Sequence, residues 1–273
     1  MEWTYPQIQD DIKLVALDMD GTLLDSQKRL PPDFFDAVHA LRAKGVRCCI
    51  ASGRQYYALL RDLEPVADDL LFLAENGSII FDGRQNIFTQ DLPYSLYRPV
   101  VEHIRQVDDC QIVLCGARAA YIEQQDPAYL HQIDLYYARR QLRKDLLAPP
   151  VEDAVCKLAV YCDRRAEQRV LPLLEEYRDR FLVSLAGSDW VDMMLPGTNK
   201  GSGLTRLQRY LGIGPDNCMA FGDYLNDLQM MGACTHSVAM HNAHPQLAAV
   251  CRHRAPSNDQ DGVMRVLRHQ FDL

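Results

Sequence analysis

The chain has 273 residues, which at about 150 residues per domain corresponds to roughly two domains. Hydrophobic residues make up 48% and charged residues 24%, a balance that supplies a core and excludes a disordered chain. Lysine and arginine number 29 against 37 aspartate and glutamate. The net charge of −8 argues against a protein that coats nucleic acid or an anionic membrane.

The sequence also bears on the compartment of the protein. No apolar run approaches the roughly 18 residues that cross a bilayer, and the acidic start lacks a basic or apolar leader pattern. The nine cysteines include no C-x-x-C pair, which favours reduced, buried thiols, with a bridge between Cys110 and Cys115 as the alternative. We therefore expect a cytoplasmic protein without membrane contact.

The first part of the chain alternates strand and helix patterns. Apolar runs predict strands at 12–17, 46–50 and 70–74. Helical spacing of apolar residues predicts helices at 32–44 and 56–63. A hairpin pattern at 78–83, with an Asp-Gly turn, follows the third strand. This order is typical of a parallel sheet with helical crossovers.

The pattern changes near residue 90 and returns near residue 196. The predicted elements between these points are a helix at 94–107, strands at 111–115 and 119–123, a basic segment of poor periodicity at 136–150, a strand at 157–161, a helix at 164–177, and strands at 181–185 and 190–195. These elements indicate an inserted α+β unit. The alternation then resumes with a helix at 200–211, a strand at 218–221, a helix at 227–231 and a strand at 237–240.

Two aspartates end the first predicted strand. The side chains of Asp18 and Asp20 can face one side of the strand, and Gly21 permits the sharp turn that follows. Ligands of open parallel sheets bind beyond the carboxyl ends of the strands. The pair therefore suggests a metal ligand or a nucleophile, and an ordinary Asp-rich turn remains the alternative.

A second acidic cluster follows the strand at 218–221. If Asp223 and Asp227 lie at the same edge of the sheet as the first pair, each like-charge pair costs on the order of 4 kcal/mol at about 4 Å. Such a cluster needs protonation or a counter-cation, and Mg²⁺ is the cation that prefers carboxylate and carbonyl oxygens. His241 and His244 are the only hint of zinc in the sequence, and we interpret them as surface histidines.

Two further segments are suited to bind an anion. Ser52 and Gly53 follow the second strand at a predicted helix start, where backbone N–H groups point at an anion, although a helix cap explains Ser52 equally well. Lys200 lies at the start of a helix, where the helix dipole disfavours a cation. A bound phosphate would explain this position, and a solvated lysine is the alternative.

These segments together resemble the haloacid dehalogenase (HAD) superfamily, and within it the Cof-type (subclass IIB), sugar-phosphatase-like branch. The four motifs, in the order of the family, are Asp18-Met19-Asp20-Gly21-Thr22, Ala51-Ser52-Gly53-Arg54, Lys200-Gly201 and Gly222-Asp223-Tyr224-Leu225-Asn226-Asp227. The resemblance extends to Glu75-Asn76-Gly77, Val238-Ala239-Met240-His241-Asn242-Ala243 and Ser257-Asn258-Asp259-Gln260-Asp261-Gly262-Val263. The two departures are serine in place of threonine at Ser52 and histidine in place of glycine at His241.

The resemblance implies an α/β fold with two parts. It predicts a Rossmann-like core with a doubly wound parallel sheet, formed by residues 1–88 and 194–273. An inserted α+β cap domain at residues 89–193 interrupts this core. The cap is expected to determine the substrate, and its basic residues Arg139, Arg140, Arg143 and Lys144 either attract phosphorylated molecules or form a solvated face.

The resemblance also implies roles for the motif residues. Asp18 would be the nucleophile that forms an aspartyl-phosphate, and Asp20 would be the general acid and base. Mg²⁺ would be held by Asp18 and Asp223 and would face the backbone carbonyl of Asp20, with Asp227 either behind these ligands or contacting the ion through water. The residues that would bind the phosphate are Met19, Ser52, Gly53, Lys200 and Asn226.

The implied function is that of a Mg²⁺-dependent phosphatase acting on small phosphorylated metabolites, such as sugar phosphates or cofactor phosphates. A phosphomutase or phosphonatase of the same superfamily is one alternative. A regulatory phospho-acceptor is another, although an intact Asp20 and a two-domain length argue against it. The sequence does not determine the physiological substrate or the oligomeric state.

Overall fold

The computed structural model describes residues 8–186 and 188–273. They form two compact units. The first contains the described residues up to Gly53, together with Asp62–Ile87 and Asn199–Leu273. The second contains Arg54–Arg61 and Phe88–Thr198. Within the described residues, no helix is both long enough and apolar enough to span a bilayer.

The elements are as follows. The strands are β1 (Leu14–Asp18), β2 (Arg47–Ala51), β3 (Leu70–Ala74), β4 (Ile79–Asp82), β5 (Gln85–Thr89), β6 (Gln111–Gly116), β7 (Ala120–Ile122), β8 (Arg140–Leu142), β9 (Val155–Tyr161), β10 (Leu182–Leu185), β11 (Trp190–Met194), β12 (Cys218–Gly222), β13 (His236–Met240) and β14 (His253–Ala255). The α-helices are α1 (Phe34–Ala43), α2 (Tyr56–Asp62), α3 (Tyr94–Ile104), α4 (Pro127–Tyr136), α5 (Leu171–Leu174), α6 (Lys200–Leu211), α7 (Leu228–Gly232), α8 (Pro245–Val250) and α9 (Gly262–Phe271). Short 3₁₀ or π turns lie at Glu64–Asp69, Glu75–Gly77, Ala166–Val170, Glu175–Tyr177, Pro215–Asn217, Leu225–Asp227 and Asn258–Gln260.

The first unit is built on an eight-stranded sheet with the order β14-β13-β12-β1-β2-β3-β4-β5. Every pairing from β14 to β3 is parallel, and β4 pairs antiparallel with β3. The strands β1, β3, β12 and β13 are buried along their whole length. Continuous apolar runs such as Leu14–Asp18 suit this position, because parallel strands are covered on both faces.

The helices of this unit follow the same physical logic. In α1 the buried residues are Phe34, Ala37, Val38 and Leu41, at the three- and four-residue spacing of one helix face. In α6, Asn199 caps the first turn by accepting from the backbone N–H of Ser202, and Gly212 ends the helix in the left-handed conformation. The residue that follows this cap, Lys200, is therefore fixed at the first position of the helix.

The second unit contains a six-stranded sheet with the order β10-β11-β9-β6-β7-β8. One apolar cluster joins α3 to the helical segment around α5 and to alternate residues of the central strands. Val101 of α3 and Leu174 of α5 belong to this cluster, together with Leu158 of β9 and Val191 of β11. The pairings of this sheet are antiparallel except for β7 with β8. Helices packed on a mainly antiparallel sheet give the α+β arrangement that the sequence predicts for the middle of the chain.

The structure differs from the sequence prediction in several places. Two strands, β5 and β8, lie where the sequence predicts none. The helix α4 precedes the basic segment, where no helix was predicted, and Asp126 caps it by accepting from the backbone N–H of Tyr129. The predicted helix at 164–177 is a succession of π, α and 3₁₀ turns. The prediction also stopped at residue 240 and so missed α8, β14 and α9. The nine cysteines are all free and buried, as predicted.

Candidate active site

The two acidic clusters lie at the same edge of the first unit's sheet. Asp18 is the last residue of β1, and Asp223 directly follows β12. The two strands are parallel neighbours, with Leu17 in register with Phe221. Their carboxyl ends therefore meet, so the strand order alone brings the two carboxylates together.

Lys200 joins the two clusters. Its side chain is fully buried, and its ammonium group donates to Asp18 Oδ1 at 2.5 Å and to Asp227 Oδ1 at 2.6 Å. The sequence suggested a bound phosphate as the reason for a cation at this helix start. The structure shows that two carboxylates contact the ammonium group, which offsets both its burial and the unfavourable helix dipole.

Three carboxylates cluster at this edge of the sheet, and two of them contact Lys200. Oxygens of Asp18, Asp223 and Asp227 lie within 4.8 Å of one another, and this is the only such group with metal-binding potential in residues 8–186 and 188–273. Asp227 Oδ2 accepts from the backbone N–H groups of Asp223 at 3.1 Å and Tyr224 at 3.3 Å. Thr22 donates its hydroxyl to Asp223 Oδ1 at 3.1 Å. The carboxylates are thus held in fixed orientations before any ligand binds.

Burial and crowding shift the protonation of the cluster. Burial raises the pKa of Asp223 to about 6, and the charge of Asp227 adds to the rise. Burial also raises the pKa of Asp18, and Asp227 and Asp223 add to this effect, while Lys200 acts in the opposite direction. For Lys200, burial alone would lower the pKa, but the carboxylates of Asp18 and Asp227 outweigh it and raise the pKa. Negative charge is therefore in excess, as a cation site requires.

The excess of negative charge in the carboxylate cluster predicts that stabilisation of the chain by Mg²⁺ depends on pH. The pKa of Asp223 is raised from 3.8 to about 6, so in this range the folded metal-free chain binds more protons than the unfolded chain. Its stability contribution is lost as the pH rises through about 6, and Asp18 extends the loss to higher pH. A divalent cation requires deprotonated carboxylates, so Mg²⁺ bound to this group would offset the loss. We expect the increase in Tm on adding Mg²⁺ to be larger at pH about 8 than at pH about 5.

Thermal unfolding with and without Mg²⁺ at both pH values measures this directly. The variant Asp223→Asn is the control, because it removes the titrating group and keeps the size of the side chain. Its Mg²⁺ response is expected to be small at both pH values. An equal Tm increase for the wild type at both pH values would contradict the account.

Gly21 lies directly against the carboxylate of Asp223. Its φ of +85° lies in the left-handed region, and a Cβ added there would lie 2.3 Å from Asp223 Oδ2. Glycine adopts this left-handed conformation without strain, which allows the backbone to turn. The absence of a side chain also leaves room for the carboxylate of Asp223. The carbonyl oxygen of Gly21 also accepts from Asn242 Nδ2 at 2.8 Å, which fixes the turn from the other side.

Replacing Gly21 by alanine is expected to damage the site and the fold together. The control is Gly45→Ala, because Gly45 has a similar φ of +78° with nothing within 4 Å of its added Cβ. Gly45→Ala should cost about 1 kcal/mol in unfolding free energy and leave activity unchanged. Gly21→Ala should cost more than this and lower kcat/KM by about tenfold or more. Equal effects of the two variants on activity would show that the contact with Asp223 is unimportant.

Ser52 and Gly53 follow β2, next to β1 in the sheet. The backbone N–H of Ser52 donates to Leu73 O at 2.9 Å, and its carbonyl oxygen accepts from the N–H of Asn76 at 2.9 Å. Asn76 lies in a short turn of left-handed residues that ends at Gly77. A Cβ on Gly77 would lie 2.6 Å from the carbonyl oxygen of Asn199, the residue before Lys200. This turn therefore packs against both anion-binding candidates.

The other predicted site residues have different surroundings. Met19 is fully buried, and Asn226 lies exposed in the turn before α7. The carboxylate of Asp20 lies outside the group of three and accepts from Lys28 Nζ at 2.7 Å. His241 is exposed. His244 caps α8 through Nδ1, which accepts from the backbone N–H of Gln246 at 3.2 Å.

Sequence reasoning assigned no role to three residues that support the site. Thr22 orients Asp223, Asn242 holds the Gly21 carbonyl, and Lys28 contacts Asp20. Thr22 and Asn242 belong to motifs quoted above, so their positions carried a signal. No sequence signal indicates the role of Lys28, because its contact with Asp20 depends on the path of the intervening loop.

The family model of the haloacid dehalogenase-like hydrolases matches residues 15–267, which is nearly the whole chain. The chain belongs to this family. The match includes the four motifs and the inserted unit, so the family predicted from the sequence is confirmed.

Two relatives of this haloacid dehalogenase-like hydrolase are named phosphatases. The chain is 32% identical over 266 residues to the 5-amino-6-(5-phospho-D-ribitylamino)uracil phosphatase YbjI of Escherichia coli, covering 95% of this chain and 97% of that protein. It is 30% identical over 244 residues to the HMP-PP phosphatase of Cronobacter sakazakii, covering 88% of each. The prediction of a HAD-type phosphatase is thereby confirmed.

Solved structures show the same fold. SMU.1108c from Streptococcus mutans superposes with a TM-score of 0.82 at 24% identity and covers 96% of this chain and 100% of that one. A haloacid dehalogenase-like hydrolase from Bacteroides thetaiotaomicron gives a TM-score of 0.83 at 22% identity, covering 94% and 99%. At this identity the likeness concerns the fold alone, and it confirms the predicted α/β class.

Proposed function

We propose that this chain hydrolyses small phosphate monoesters with the help of Mg²⁺, through an aspartyl-phosphate on Asp18. The observation that carries the proposal is the buried ammonium group of Lys200, which contacts Asp18 and Asp227. A cation beside a strand-end carboxylate supplies the positive charge that phosphoryl transfer requires, because this reaction depends mainly on positioning and charge neutralisation.

The residues present fit a magnesium ion. The donor atoms of Asp18, Asp223 and Asp227 are all oxygens, and the absence of a side chain at Gly21 leaves room for the carboxylate of Asp223. Mg²⁺ prefers such hard donors and usually keeps several waters. We assign the ion to Asp18, Asp223 and the backbone carbonyl of Asp20, with Asp227 behind these ligands or contacting the ion through water. When bound, the ion neutralises the charge of the phosphoryl oxygens.

The first step transfers the phosphoryl group to the protein. A carboxylate oxygen of Asp18 forms a bond to phosphorus while the bond from phosphorus to the ester oxygen breaks. Asp20 gives its proton to the departing oxygen, so the alcohol leaves neutral. Lys200, Ser52 and the backbone N–H of Gly53 would hold the phosphoryl oxygens, and Met19, through its backbone N–H, and Asn226 would complete this set.

The second step releases phosphate. Asp20, now a carboxylate, takes a proton from water as the water oxygen bonds to phosphorus. The bond between phosphorus and the Asp18 oxygen breaks, which restores the carboxylate. Both side chains return to their starting protonation, so the cycle consumes one ester and one water. Because Asp18 already lies against Lys200 at 2.5 Å, little rearrangement of the nucleophile is needed.

The substrate class follows from the relatives. The two named phosphatases carry in their names 5-amino-6-(5-phospho-D-ribitylamino)uracil and HMP-PP. We propose small phosphorylated metabolites for this chain as well, with sugar phosphates and cofactor phosphates as the first group to test. We also propose a division of the chain into a core, residues 1–88 and 194–273, and an inserted cap domain at 89–193 that selects among these substrates.

Phosphate release tests the proposal. The panel contains sugar phosphates, nucleotides, and flavin and pyridoxal phosphates, each incubated with Mg²⁺ or with EDTA. We expect turnover of several esters in Mg²⁺ and a loss of about 10²-fold or more in EDTA, because the ion neutralises charge at the reacting phosphate. Adding Mg²⁺ back should restore the rate.

The products separate the proposed hydrolysis from transfer. Hydrolysis gives one free phosphate for each alcohol released. Isomerised phosphate esters without free phosphate would indicate a phosphomutase and would overturn the proposal. A phosphorylated chain that accumulates without turnover would indicate a regulatory acceptor instead.

A further inference from the structure

The loop that follows β1 brings a lysine to Asp20. Lys28 Nζ donates to Asp20 Oδ1 at 2.7 Å, and both side chains are partly exposed. Asp20 is the residue to which the proposed function assigns proton transfer, and its carboxylate lies outside the group formed by Asp18, Asp223 and Asp227. The contact therefore concerns the proton-transfer group and not the three clustered carboxylates.

The backbone around Lys28 is shaped to make this contact. Lys28 has a φ of 62°, a left-handed conformation that glycine or asparagine adopts more easily. The carboxylate of Asp25 stabilises this turn by accepting from the backbone N–H groups of Gln27 and Arg29, both at 2.9 Å. The N–H of Lys28 also donates to Asp25 O at 2.9 Å. Three hydrogen bonds to Asp25 thus hold the turn in this conformation. Lys28 places a long cationic side chain at a backbone position that favours glycine or asparagine.

The same loop is anchored to the rest of the first unit. Asn258 Nδ2 donates to the carbonyl oxygen of Leu24 at 2.9 Å, and the N–H of Ser26 donates to Asp259 Oδ1 at 2.7 Å. Asp259 and Asn258 lie in the turn before α9. Lys28 therefore extends from an anchored loop, and its ammonium group holds one oxygen of the Asp20 carboxylate.

The ion pair of Lys28 with Asp20 is poorly explained by a contribution to the free energy of unfolding. Exposed pairs contribute little to stability, because solvent screens them and two long side chains lose entropy. Lys13 and Asp11 form such a pair at 2.9 Å between near neighbours, without unusual backbone. The pair of Lys28 and Asp20 differs because it joins residues eight positions apart and depends on a left-handed lysine.

We propose that Lys28 is a positioning residue for the general acid and base Asp20. This inference rests on the proposed function. Lys28 engages Oδ1 of Asp20, and we assign proton transfer to the other carboxylate oxygen. Losing Lys28 would leave Asp20 in place along the chain but remove the contact to its Oδ1, so in fewer encounters with substrate would its proton point at the departing oxygen.

The test uses esters of similar size whose leaving groups differ in acidity. Phenyl phosphate needs a proton on its departing oxygen, whereas p-nitrophenyl phosphate leaves readily as an anion. In Lys28→Met we expect kcat/KM to fall about tenfold for phenyl phosphate and less than about twofold for p-nitrophenyl phosphate. Lys28→Arg should restore most of the loss, because it keeps the charge and the donor.

Two controls separate positioning from other effects. Lys13→Met removes another paired surface lysine and should leave both rates unchanged. In an Asp20→Asn background, which abolishes the acid, Lys28→Met should cause no further loss with phenyl phosphate. An equal loss on both esters would show that Lys28 acts only by attracting the phosphate, and would overturn the inference. Wild-type turnover of the two esters checks the proposed function independently.

Discussion

Asp18→Asn should abolish turnover of every ester in the panel, with kcat lowered by about 10⁴-fold or more. The amide has no anionic oxygen to attack phosphorus, so the aspartyl-phosphate does not form. The substitution keeps the size of the side chain and leaves an oxygen that accepts from Lys200. It also removes one charge from a crowded cluster, so the metal-free variant should fold with a Tm close to that of the wild type.

The matched control is Asp11→Asn. Asp11 is an exposed aspartate paired with Lys13 at 2.9 Å, and its substitution should leave kcat unchanged. Steady-state kinetics and thermal unfolding of both variants make the comparison. If folded Asp18→Asn kept a tenth or more of wild-type turnover, Asp18 could not be the nucleophile.

Lys200→Met should lower both stability and activity. The lysine is fully buried, so its removal leaves the carboxylates of Asp18 and Asp227 without a counter-charge. Breaking a buried ion pair on one side costs about 3–5 kcal/mol. Activity should fall by about 10³-fold or more, because a contact to the phosphoryl oxygens is lost as well. Mg²⁺ should raise the Tm of this variant more than that of the wild type, since it replaces the missing positive charge.

Lys157→Met provides the matched control for this prediction. Lys157 and Asp192 form a buried ion pair at 3.0 Å in the second unit. Breaking it should destabilise the chain by a similar amount. The Tm of this variant should gain no more from Mg²⁺ than the wild type does. Equal Mg²⁺ responses of the two lysine variants would contradict the role given to Lys200.

Much of the site was predictable because parallel strands end at one edge of a sheet. Asp18 and Asp223 each follow an apolar run, and the alternation of strands and helices implied that the two strands lie in one sheet. Their convergence needed only the strand order, with β12 next to β1. The contacts of Lys200 were beyond sequence reasoning, because the interpretation of a helix-start lysine depends on which charges the fold packs against it.

Other features depend on tertiary context. In α4 a proline follows the Asp126 cap, which is a recognisable start signal, but Leu135 and Tyr136 are exposed, so its apolar pattern is weak. The segment at 166–177 has the expected apolar spacing, but it begins as a π turn and ends as a 3₁₀ turn instead of forming one α-helix. The ion pair of Lys28 with Asp20 requires a left-handed backbone that no residue pattern indicates.

The most direct test of the account is to trap the phosphorylated chain. Enzyme turning over a good ester in Mg²⁺ is quenched in denaturant and reduced with borohydride, which converts an aspartyl-phosphate to homoserine. Peptide mapping by mass spectrometry then locates the change. We predict homoserine at position 18, only when substrate is present and never in Asp18→Asn. Homoserine at another aspartate, or turnover without any trapped residue, would contradict the central claim that Asp18 carries the phosphoryl group.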